Sequence, residues 1–131
     1  MEGCVVQDLT VHGKANCYVF SPEQMQRLQD EVAVSTTLEP GINLVKIKSG
    51  AFHYQSEVGQ LGEPLVLLWI YGGKVTNQKT HVPVNATWAS LNGYDDVLTL
   101  DVAEPAKLCA FFFDTHLDDN EGELHLSVVR I

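Results

Sequence analysis

The stretch LVLLWIY, Leu65 to Tyr71, is apolar at every position. A strand with one wet face would alternate apolar and polar side chains. An unbroken apolar run between turn signals instead reads as a strand covered on both faces. Gly59 to Pro64 forms a glycine-rich loop ahead of it, and Gly72-Gly73 closes it. The run is too short to span a bilayer as a helix. It therefore asks for a fold with apolar partners above and below.

The flanking sequence supplies strands. Downstream, the Asn92-Gly93 turn precedes Val97 to Val102, which alternates with period two. Glu104-Pro105-Ala106-Lys107 then turns into Leu108 to Phe113, and Glu123 to Ile131 alternates Leu124, Leu126 and Val128 against His125, Ser127 and Arg130. Upstream, Glu39-Pro40-Gly41 opens a strand from Ile42 to Lys48. Val5 to Val11 and Asn16 to Val19 are expected to pair around His12-Gly13-Lys14. One segment reads as helix, from Pro22 to Glu31. It has Ser21 as N-cap, Gln24 to complete a capping box, and Met25, Leu28 and Val32 at helical spacing. The expectation is an all-β single domain over residues 1 to 131, an antiparallel β-sandwich of jelly-roll type with one short helix near the N-terminus.

Composition narrows the partners. A net charge of −9 with no basic stripe disfavours nucleic acid and leaves cations, neutral sugars or a basic protein. Met1-Glu2 opens no basic, apolar leader, so a cytoplasmic protein is expected. Cys4, Cys17 and Cys109 lack C-x-x-C spacing, and Cys109 within an apolar strand reads as a small core residue.

The densest chemistry follows the aromatic run Phe111 to Phe113. Asp114, Asp118, Asp119, Asn120 and Glu121 crowd the loop that ends at Gly122. Asp, Asn and Gly are ordinary turn residues, so a solvated turn is one reading. The other is a shared cation. Calcium takes roughly six to eight oxygens, and a short reversal turns several carboxylates and amide oxygens toward one point. The spacing is not that of an EF-hand loop.

The order of elements from about residue 40 onward resembles the soluble calcium-dependent, galactose-binding bacterial lectins of the PA-I type. Those are small jelly-roll sandwiches with Pro-Gly before a strand, a glycine followed by a calcium-binding tyrosine carbonyl, and an aspartate at a strand end. An Asn-Asn-Ser-Gly turn and an alternating terminal strand follow. Here stand Pro40-Gly41, then Gly50 followed by Tyr54. Further on stand Asp114, then Asp119-Asn120-Glu121-Gly122 before Leu124 to Val128. The resemblance implies calcium held by the Tyr54 carbonyl, Asp114, a carbonyl near Leu117, Asp119 and Asn120. It also implies a carbohydrate beside the ion, touching His53, Gln55, Asp114 and Asn120. Two departures stand out: Asp119 replaces an asparagine, and the loop before it is shorter. The family's sugar-contacting histidine has no counterpart between Gln55 and Gly62, which leaves His53 as the candidate.

The remaining motifs are plain. The five histidines show no zinc spacing. His116 is expected to donate to a neighbouring carboxylate, and His125 to be exposed. No G-x-S-x-G, P-loop or dinucleotide motif is present, so no catalysis is expected. Trp69 is expected in the core, Trp88 and Tyr94 near the surface with a turn-packing role, and Asp95-Asp96 as a solvated strand entry. The functional expectation is a calcium-binding, lectin-like module. The alternative is a protein-interaction module on the same scaffold without a sugar site. Edge strands favour a homo-oligomer in either case.

Overall fold

A computed structural model describes residues 7–50, 64–112 and 123–131. Nine strands are present among these residues: β1 (Val34–Leu38), β2 (Gly41–Gly50), β3 (Leu65–Tyr71), β4 (Lys74–Asn77), β5 (Pro83–Val84), β6 (Thr87–Asn92), β7 (Val97–Glu104), β8 (Ala106–Phe111) and β9 (Leu124–Arg130). One sheet has the order β1-β8-β3-β6 and the other β5-β4-β7-β2-β9. Every pairing is antiparallel, and β1 meets β8, β2 meets β7, β3 meets β6 and β4 meets β5. That is one long hairpin folded over itself, which defines a jelly roll. β9 is added outside β2.

The two-sided character of Leu65 to Tyr71 holds. Val66, Leu68 and Ile70 enter the core between the sheets, where they join Leu100, Val102 and Leu108. Leu67, Trp69 and Tyr71 belong to the opposite face of the four-stranded sheet. There they share register with Phe111, Cys109 and Lys107 of β8. Trp69 is thus half-buried on the outer face rather than in the inter-sheet core, because it falls on the other phase of its strand. Asn43, the buried polar side chain of the described core, donates from Nδ2 to the Glu39 carbonyl at 2.9 Å and the Gly41 carbonyl at 3.2 Å. It fixes the turn that the Pro40-Gly41 pair announces.

The helix starts where its cap predicts. α1 (Pro22–Arg27) has a complete capping box, with Ser21 Oγ accepting from the Gln24 N–H and Gln24 Oε1 accepting from the Ser21 N–H. It widens into a π-helical turn from Leu28 to Val32. Phe20 lies against Trp88 with ring centroids 6.1 Å apart, so this N-terminal segment covers the outer face of the four-stranded sheet.

The expected N-terminal strand pair is not formed. Residues 7–20 contain no strand. Instead the chain closes a local turn, with the Asn16 N–H donating to the His12 carbonyl at 3.0 Å and His12 Nδ1 accepting from the Lys14 and Ala15 N–H groups. Those bonds satisfy the backbone without a neighbouring strand.

Candidate functional site

The strand ends that bound the expected calcium loop gather at one end of the sandwich. β2 ends at Gly50, whose register partner is Leu124 at the start of β9. β8 ends at Phe111, paired with Leu67 near the start of β3. The turn between β6 and β7 ties these ends together. The Gly93 N–H donates to the Pro64 carbonyl at 2.6 Å, and the Tyr94 hydroxyl donates to the Gly50 carbonyl at 2.7 Å. So the residues bounding 51–63 and those bounding 113–122 are neighbours, although far apart in sequence.

Gly50 is required at this junction. Its φ is +93°, and a Cβ there would run into the Glu123 carbonyl and come within 2.8 Å of the Leu124 Cα. Only glycine allows β2 to lie this close to the entry of β9. The register of β2 against β9 also shifts between Ile47 and Ser49, a bulge that bends the strand just before it ends.

Polar groups here are arranged as in an exposed strand entry. Asp96 Oδ2 accepts from the Asn92 N–H at 3.1 Å, which closes the turn, and Asp95 is exposed. Glu123 and His125 lie 3.7 Å apart, both open to solvent. Among the described residues, no group of three His, Cys, Asp or Glu side chains converges as a metal site. No family model, curated protein or solved structure matches the chain.

The expected ligands His53, Tyr54, Gln55, Asp114, Leu117, Asp119 and Asn120 lie outside the described residues, as does His116. The described aromatic candidates divide. Tyr94, nearly half exposed, packs the turn through its hydroxyl. Trp88 lies instead on the outer face of β6, its ring centroid 4.5 Å from that of Trp69. The Tyr94 to Gly50 bond joins positions with no local sequence relation, so no spacing could reveal it.

Two groups on the outer face of the four-stranded sheet, buried Cys109 and half-buried Tyr71, have altered acidity. Burial pushes the Cys109 thiol up, opposed by the nearby Lys107 ammonium. Tyr71 is raised by desolvation, then by Cys109 and Asp30. Both shifts favour the protonated side chain, which works against a thiolate at Cys109.

Proposed function

We propose that this chain is a non-catalytic calcium-binding module that takes a carbohydrate beside the ion. The observation supporting it is the junction at Gly50: the segment carrying Tyr54 leaves β2 beside Leu124, where the segment carrying Asp119 and Asn120 rejoins the sandwich. The ligands are the carbonyls of Tyr54 and Leu117 and the side chains of Asp114, Asp119 and Asn120. His53 and Gln55 lie on the sugar side. The net charge of −9 favours cation capture.

Thermal unfolding with excess calcium and with chelator tests this reading. Calcium at a hundred times its dissociation constant stabilises the fold by about 2.7 kcal/mol, and Asp114→Ala abolishes the shift. An unchanged melting temperature would remove calcium from the account. Glycan binding that disappears with chelator identifies the lectin.

A second reading, a protein-interaction module or homo-oligomer without a sugar site, draws on β9. This edge strand exposes Val128, Val129 and the following Ile131. Unpaired edges with apolar side chains invite strand addition. A calcium-dependent melt without glycan binding, accompanied by concentration-dependent sedimentation, favours that reading. No helix among the described residues is long and apolar enough to cross a membrane.

A further inference from the structure

The outer face of the four-stranded sheet carries a cavity away from the Gly50 junction. It measures about 400 Å³ and lies between the helical segment and this sheet. Its floor is Leu67, Trp88 and Phe111, and its roof includes Met25, Leu28 and Val32. Packed interiors leave few voids larger than a water molecule, whereas ligand sites run from roughly 300 to 1,000 Å³. The helical segment stands off the sheet in keeping with this. None of its residues is fully buried, and Val32 is 53% exposed although it borders the cavity.

Two further observations point to an occupant. The roof is where α1 gives way to the π-helical turn, closed by the Ala33 N–H donating to the Leu28 carbonyl at 2.9 Å. Such widened turns recur at functional sites. The polar groups at hand are also one-sided. Gln24 and Arg27 line the cavity, but Gln24 Oε1 is occupied by the Ser21 N–H, which leaves its amide donors. Arg27 can only donate. Its contact with Glu31, 3.4 Å away and exposed on both sides, is a weak surface pair that a better acceptor can replace. Trp69 Nε1, on the same sheet face but outside the cavity lining, is a buried donor without a partner among the described residues.

We propose that this cavity binds one medium-chain alkyl carboxylate, its tail between Leu28 and Phe111 and its carboxylate at Arg27. The aliphatic roof and the flexible Met25 side chain suit a chain-like tail. The Arg27 guanidinium and the Gln24 amide, the polar side chains of the lining, offer donors to an anionic head.

Calorimetric titration of the full chain with decanoate, and with 1-decanol as the uncharged control, tests the assignment. Decanoate is expected to bind once per chain and to change tryptophan emission, with decanol weaker by about tenfold or more. Arg27→Gln brings decanoate down to the decanol level. Leu28→Trp fills the cavity and removes binding of both. If that variant does not fold, Val32→Trp, at a half-exposed position, serves the same purpose. Absence of saturable binding, equal affinity for the two probes, or binding untouched by the filling variants overturns the proposal. So does self-association that Val32→Glu abolishes, because the face would then belong to a second copy.

Discussion

At the scale of single residues, the close approach at Gly50 sets a sharper constraint than any charged side chain described. Gly50 and Gly93 both have positive φ, but only Gly50 has backbone where a Cβ would stand. Gly93→Ala is expected to cost about 1 kcal/mol from conformation alone. Gly50→Ala adds displacement of Glu123 and Leu124 and is expected to cost about 3 kcal/mol. Urea unfolding of the two variants measures the difference, and equal midpoints would contradict the close approach. Cys109 gives a second prediction at this scale. Its acidity is lowered in the folded state relative to an ordinary value of 9.0, so folding favours the protonated thiol. That contribution is fully present below pH 9 and is lost as pH rises through the folded value. Tyr71 adds the same sign above its ordinary 10.0. Stability is therefore expected to fall on the alkaline side, and Cys109→Ala to flatten the first part of that fall. In a thiol-labelling assay at neutral pH, exposed Cys17 reacts at once and Cys109 only on unfolding.

At the scale of elements, the two faces of β3 have different energetic weight. Leu68 is fully buried between the sheets, whereas Leu67 borders an existing cavity. Leu68→Ala is expected to cost about 3 to 4 kcal/mol, and Leu67→Ala at least about 1 kcal/mol less, because a site that already adjoins a void has fewer contacts to lose. Comparing their denaturant midpoints checks this, and a larger loss for Leu67 would reverse the assignment of faces. The same elements show what was legible in the sequence. β3 matches its expected span residue for residue, because an unbroken apolar run between glycines admits little else. β7 follows its alternation with Leu98, Leu100 and Val102 inward, and the capping box places the start of α1 correctly. β2 and β8 form where expected, but β2 buries Asn43, Val45 and Ile47, β8 starts earlier at Ala106, and β9 turns only Leu124 and Leu126 toward the core. β1 was not legible, because Val34, Ser35, Thr36 and Thr37 are exposed and only Leu38 enters the core. β4 and β5 are short, and the inward phase of β6 carries Thr87 and Ala89 before Leu91, too small to signal burial. The expected N-terminal pair failed for the opposite reason, since apolar side chains such as Val11 and Val19 stay largely exposed there. Of the candidate site, the sequence shows which residues carry carboxylates and amides. It does not show the junction, since a bond such as Tyr94 to Gly50 exists only after both sheets form.

At the scale of the molecule, the jelly roll and its N-terminal cover are separable structures. The inter-sheet core begins with Leu38 and includes no residue from the helical segment. The cover instead touches the outer face, through Phe20 against Trp88 and through the walls of the cavity. Its Met25 and Leu28 are only half-buried, so each contributes a fraction of the roughly 1.5–3 kcal/mol that full burial of such a side chain provides. A chain beginning at Ala33 is therefore expected to keep all nine strands and to unfold cooperatively, but with stability lower by about 3 kcal/mol. Its exposed outer face then carries Leu67, Trp69, Trp88 and Phe111 as one continuous apolar patch. Patches of that kind bind hydrophobic dyes and promote association. Circular dichroism is expected to retain the strand signal, while tryptophan emission shifts to the red and dye fluorescence rises. Loss of the cooperative transition in the shortened chain would show instead that the cover is needed to hold the two sheets together.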